Sequence, residues 1–187
     1  MKNQRYNDKF TLFLDRDGVI NERLPAAYVR SWSEFSFAPG ALDAIAVCSS
    51  IFGKIIIITN QQGIGKGLMT EEELQLVHNK MVNAIEKAGG RIDAIYHCPD
   101  LRAKPNNCRK PNPTMALRAK KDFPSIDFRK SVMVGDSISD MQFGMALGME
   151  TVFITSNQDE VQRLVEGEKA LPNHIFHSLA QWSEKGV

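Results

Sequence analysis

The chain has 187 residues, 43% hydrophobic and 24% charged, enough to bury a core without disulfides or structural metals and suited to a single domain over 1–187. Its net charge of +1 provides no basic face for nucleic acid or an anionic membrane, so any anion site must be local. Only three cysteines are present, Met1–Lys9 is polar, and the longest aliphatic run is Ile55–Ile58, which together predict a soluble cytoplasmic protein, reduced and monomeric by default.

Short apolar runs alternate with helical patterns along the chain. Phe10–Leu14 predicts a strand, and Ala41–Phe52 a helix after the Pro39-Gly40 turn. Lys54–Thr59 is a β-branched run suited to a strand buried on both faces. Thr70 and Glu73 form a capping-box signature for a helix whose stripe is Leu74, Val77, Met81, Val82 and Ile85, and which Gly89-Gly90 ends. Ala94–Cys98 predicts a third strand, Pro99–Pro113 a loop, Met115–Phe123 a helix, Ser131–Gly135 a fourth strand, Met141–Leu147 a helix and Thr151–Thr155 a fifth strand. Alternation of this kind predicts an α/β fold, a doubly wound, Rossmann-like parallel sheet that binds its ligand beyond the carboxyl ends of the strands. That rule selects Asp15, Thr59, Cys98 and Asp136.

Four stretches at those ends carry the chemistry. Asp15-Arg-Asp-Gly18 sends two carboxylates off one strand end, although an ordinary solvated turn would look the same. Thr59-Asn-Gln-Gln-Gly-Ile64 supplies a hydroxyl, amides and backbone N–H groups able to cup an anion, or simply a glycine turn. Arg109 and Lys110 offer a planar fork and a point charge for phosphate. Gly135-Asp136-Ser-Ile-Ser-Asp140 offers carboxylates for Mg2+, with a helix cap as the plain alternative for Asp140.

Taken in order, these stretches resemble the four signature motifs of the haloacid dehalogenase superfamily over roughly residues 10–155. Phe13–Asn21, Thr59–Ile64, Tyr96-His-Cys-Pro99 and Cys108-Arg-Lys-Pro111 resemble one branch: the D-glycero-D-manno-heptose 1,7-bisphosphate 7-phosphatases and the histidinol-phosphate phosphatase domain. As in that branch, no large cap insertion is visible. The resemblance implies Asp15 as nucleophile, forming an aspartyl-phosphate, and Asp17 as general acid and then base, with its pKa raised in the substrate complex. It implies Mg2+ held by Asp15, Asp136 and the Asp17 carbonyl, with Lys110, Thr59 and Asn60 on the phosphoryl oxygens. Arg109 resembles the substrate-recognition arginine, and Tyr28, Gln61 and Gln62 complete the expected substrate contacts.

The branch's structural zinc has a Cys-x-His … Cys-x-Cys pattern, of which only Cys98 and Cys108 are present, with Asp100 and Asn106 at the other positions. That donor set argues against zinc, and Pro105, Pro111 and Pro113 are expected to stiffen the loop instead. His97 could replace one zinc ligand, but adjacent residues rarely point to one metal; His78, His174 and His177 lack a partner motif. The leading expectation is a phosphatase acting on a small sugar bisphosphate, heptose 1,7-bisphosphate at position 7. Histidinol phosphate is the alternative substrate; a polynucleotide 3′-phosphatase and a non-catalytic metabolite-binding protein stand behind it.

Overall fold

The structure, a computed structural model, describes residues 5–24, 27–157, 159–162 and 171–187. Among them, six strands form one sheet, all parallel, in the order β3-β2-β1-β4-β5-β6. They are β1 (Thr11–Leu14), β2 (Lys54–Asn60), β3 (Ala94–Cys98), β4 (Ser131–Gly135), β5 (Glu150–Ile154) and β6 (His174–Phe176).

The two-residue period of a strand sends alternate side chains to opposite faces. In β2, Ile55 and Ile57 enter one core with Leu12, Leu14, Val132 and Val134, while Ile56 and Ile58 enter a second with Phe13 and Met133. Helices α1 (Ala41–Ser49) and α3 (Glu71–Lys87) cover the first face through Ala44, Ile45, Met81 and Ile85. Helices α4 (Thr114–Asp122) and α5 (Ile138–Ala146) cover the second through Met115, Ala119 and Phe143. A short α2 (Gln62–Gly65) follows β2, and α6 (Leu179–Lys185) docks on α1, with Trp182 fully buried beside Tyr6 and Phe52.

The predicted core elements are present with shifted ends. Helix α1 stops at Ser49, where the main-chain bonds of Ser50, Ile51 and Phe52 tighten into a turn. Helix α5 begins three residues before the predicted Met141, because Ser137 and Asp140 close a capping box ahead of it. The Thr70–Glu73 box forms as read. Strand β6 and helix α6 lie beyond the last predicted element.

Strand order reverses between β1 and β4, so a crevice opens beyond their carboxyl ends. The segments 15–24, 27–40 and 99–113 border it as turns and loops, with a 3-10 turn at Trp32–Glu34, and no inserted domain covers it among the described residues. No helix there is long and apolar enough to cross a membrane.

Candidate active site

Asp15 directly follows β1 and Asp136 directly follows β4, so two neighbouring parallel strands deliver two carboxylates to the switch point. The chain must turn sharply after Asp15, and Gly18 makes this possible at φ +88°. A Cβ on Gly18 would lie 1.7 Å from Asp136 Oδ2, so the glycine also leaves the space that Asp136 occupies. Carboxylate oxygens of Asp15, Asp136 and Asp140 all lie within 4.8 Å of one another.

Lys110 reaches this cluster from the 99–113 loop. Its Nζ ion-pairs with Asp15 Oδ1 at 2.8 Å and Asp140 Oδ1 at 2.6 Å, and donates to the Ile58 carbonyl at 2.8 Å. Its backbone is clamped by Asn60, whose Oδ1 accepts from Lys110 N at 2.9 Å. Asp140 is fully buried; its other oxygen accepts from Ser137 N and Ser137 Oγ. One carboxylate thus caps α5 and anchors the lysine, where the sequence offered a metal-binding carboxylate or a helix cap.

Burial is the main force on the acids. It pushes Asp15 up to about 6, with Lys110 opposing and Asp140 adding to the rise. It pushes Asp136 up to about 8, reinforced by the charge of Asp15, while Arg23, 2.6 Å away, opposes. Two buried carboxylates that resist sharing negative charge are a donor set for a hard divalent cation, which favours oxygen ligands. The residues present therefore fit Mg2+.

Asp17 behaves differently. Burial pushes it up too, but Arg16 outweighs burial and, with bonds from Asn21 and Gln61, holds the carboxyl below its ordinary value. In the free protein Asp17 is an anion, the reverse of the state expected for it in the substrate complex.

Above these groups lies a cavity of about 500 Å³ lined by Asp15, Asp17, Tyr28, Thr59, Asn60 and Lys110, with Arg23, Lys66, Arg102 and Arg109 adding positive charge. Two predicted substrate contacts do not line it. Gln61 is buried, with Nε2 donating to Asp17 Oδ2 and Thr59 Oγ1. Gln62 is spent on the Tyr28 hydroxyl and on Arg102 N. Gln61, at the N-cap of α2, turns back onto Asp17 and Thr59, and Gln62, in the first turn of α2, reaches Tyr28 and Arg102. Pro25 and Ala26, inside the stretch expected on the substrate side, lie outside the described residues.

The loop carrying Arg109 and Lys110 corrects a further expectation. Cys98 and Cys108 are joined in a disulfide, leaving Cys48 as the free, buried thiol. The Asp100 carboxylate stands beside them, accepting from Cys108 N and pairing with Lys104. The loop is thus held by a covalent bridge and an acid that ties its ends, in addition to its prolines.

A parallel sheet with this strand order, paired acids at its switch point and a lysine beside them define a haloacid dehalogenase-like phosphatase, and the chain matches the HAD-hydrolase-like family over residues 107–182. The polynucleotide kinase 3′-phosphatase family also matches, over residues 30–143. The chain is 37% identical over 139 residues to the D-glycero-alpha-D-manno-heptose-1,7-bisphosphate 7-phosphatase of Mycobacterium bovis, covering 74% of this chain and 73% of the relative. It is 33% identical to the beta-anomer 7-phosphatase of Neisseria meningitidis, covering 92% of each. It superposes with a TM-score of 0.83, at 30% identity and covering 94% and 97% of the two chains, on D,D-heptose 1,7-bisphosphate phosphatase from B. bronchiseptica, solved with magnesium and phosphate. The chain belongs to the family of the heptose-1,7-bisphosphate 7-phosphatases.

Proposed function

We propose that this phosphatase removes the 7-phosphate of D-glycero-manno-heptose 1,7-bisphosphate through an aspartyl-phosphate on Asp15. The observation that carries the reading is the pairing of Asp15 with Lys110 at the floor of a cavity whose outer wall is cationic.

Both polar contacts of Asp15 fall on Oδ1, from Lys110 Nζ and Arg16 N, which leaves Oδ2 to attack phosphorus. Asp15, Asp136 and the Asp17 main-chain carbonyl would hold Mg2+, whose charge would offset the repulsion between this carboxylate and the phosphate. Lys110 adds fixed positive charge, and Thr59 and Asn60 add donors, where charge develops on the transferring group. Asp17 gives a proton to the departing 7-oxygen, then takes one from water, a contribution of about 10²–10⁴ in rate. The incoming phosphate raises the proton affinity of Asp17, reversing its state in the free protein.

A bisphosphate needs a second anion site, and Lys66, Arg102 and Arg109 supply one within the same cavity. Histidinol phosphate instead carries an amine at that end, which these cations would repel. A polynucleotide 3′-phosphatase is disfavoured because the net charge is only +1, which gives little electrostatic purchase on a nucleic-acid backbone. The proposal takes the chain as one domain, supported by cores on two faces of one sheet, and as a monomer by default.

The test is steady-state kinetics on both heptose 1,7-bisphosphate anomers and on histidinol phosphate. A tenfold preference in kcat/KM for one heptose anomer, about 1.4 kcal/mol of differential transition-state binding, is the expected result. Preference for histidinol phosphate would overturn the substrate assignment.

A further inference from the structure

Arg16 is the residue between the two motif aspartates, and it is fully buried. Its Nη2 donates to both oxygens of Asp17, at 2.7 and 2.9 Å, and its Nε to Asp17 Oδ1 at 3.3 Å. On its far side, Nη1 meets His78 Nε2 at 3.3 Å, and His78, carried by α3, is itself buried. A guanidinium has donors only, so His78 Nε2 must be the acceptor and its proton must sit on Nδ1. Burial first and the Arg16 charge second push His78 down to about 3, which agrees with a neutral ring.

We propose that Arg16 and His78 are positioning residues for Asp17: His78 fixes the guanidinium, and the guanidinium fixes the plane of the carboxyl group that moves the proton. Burying a cation solely to shape a turn is poor economy, because apolar packing does that without desolvating a charge. Here the cation is spent on one carboxylate. Asn21 Nδ2 and Gln61 Nε2, each 2.9 Å from an Asp17 oxygen, complete the frame and restrict rotation within it. A proton donor must meet the leaving oxygen at hydrogen-bond distance, so a loose carboxyl would lose rate even with the substrate fully bound.

This inference rests on Asp17 as general acid, and leaving-group dependence tests it. A sugar alkoxide needs a proton to depart, whereas p-nitrophenolate leaves without one. Kinetics are measured with p-nitrophenyl phosphate and with whichever of heptose 1,7-bisphosphate or glycerol 3-phosphate the native Mg2+-loaded enzyme hydrolyses faster. Arg16→Lys keeps the charge and loses the fork. It is expected to lower kcat/KM for the alkyl ester at least tenfold more than for the aryl ester, within the range of general acid catalysis. His78→Leu should show the same bias, and His78→Gln, which restores an acceptor, should recover part of it. If Arg16→Lys does not fold, the His78 pair decides.

Asp17→Asn is the control. If it shows the bias while Arg16→Lys and His78→Leu lower both substrates equally, the positioning role is overturned and the acid survives. If Asp17→Asn itself lowers both equally, the acid assignment fails, and the positioning role falls with it.

Discussion

Lys110 Nζ lies 2.6 Å from the carboxylate of Asp140, and both side chains are buried. The two residues are far apart in sequence, one on the loop after β3 and the other in the first turn of α5. Their pairing places the ammonium group 2.8 Å from Asp15, so Asp140 is what aims the lysine at the nucleophile.

Removing one partner of a buried ion pair strands the other charge. Asp140→Asn leaves Lys110 with Asp15 and the Ile58 carbonyl as its remaining partners, so it should destabilise the protein in urea unfolding by less than the ~3–5 kcal/mol of a fully stranded charge. It should also lower kcat, since Lys110 loses its anchor. An Asn variant of native stability and native kcat would show that the pair is incidental.

Acid titration gives a second expectation, for the metal-free protein. Burial pushes Asp15 up to about 6 and Asp136 up to about 8, above the ordinary value of 3.8. Carboxyls raised in this way bind protons more tightly folded than unfolded, so their contribution is complete below pH ~4 and is lost as pH rises to ~8. Asp17, held down, works in the opposite sense: its contribution is present above the ordinary value and fades on acidification. Between pH 5 and 8 the raised pair dominates, and Tm in EDTA should fall across that interval. Added Mg2+ should restore most of the loss at the upper end, where both acids are ionised. A Tm in EDTA that rises over the same interval would contradict the burial of this pair.

Substrate charge can be separated from chemistry through Arg109. Arg109→Ala should raise KM for a sugar bisphosphate at least tenfold while changing p-nitrophenyl phosphate hydrolysis by less than about threefold, because the aryl ester lacks the distal anion. Equal losses on the two substrates would place Arg109 at the transferring phosphate instead.

The cysteines can be counted directly. Denatured without reductant, the protein should show one reactive thiol, Cys48, and three after reduction. Three thiols without reductant would return the 99–113 loop to the reduced state first expected of it.

Much of this was readable in the amino-acid order, where a local rule governs. The run Ile55–Ile58 is β-branched and buried on both faces, so β2 declared itself, and the Thr70–Glu73 box marked the start of α3. Asp15 and Asp136 were found because strand ends face the switch point. What escaped depends on distant partners or short elements. Asp140 stayed open between a metal-binding carboxylate and a cap because its second partner, Lys110, is on another loop. Gln61 and Gln62 read as substrate contacts because nothing local shows α2 turning them onto Asp17 and Tyr28. Strand β6 is three residues long, too few to show a period. Pairing of Cys98 with Cys108 requires the loop path, which spacing alone does not provide.

Transient covalent chemistry at Asp15 tests the account most directly. Native Mg2+-loaded enzyme is mixed with heptose 1,7-bisphosphate, quenched in acid within one turnover and mapped by peptide mass. One phosphoryl group on the peptide bearing Asp15, absent in Asp15→Asn, is the predicted result. A phosphoryl group on any other residue, or undiminished turnover by Asp15→Asn, would contradict it.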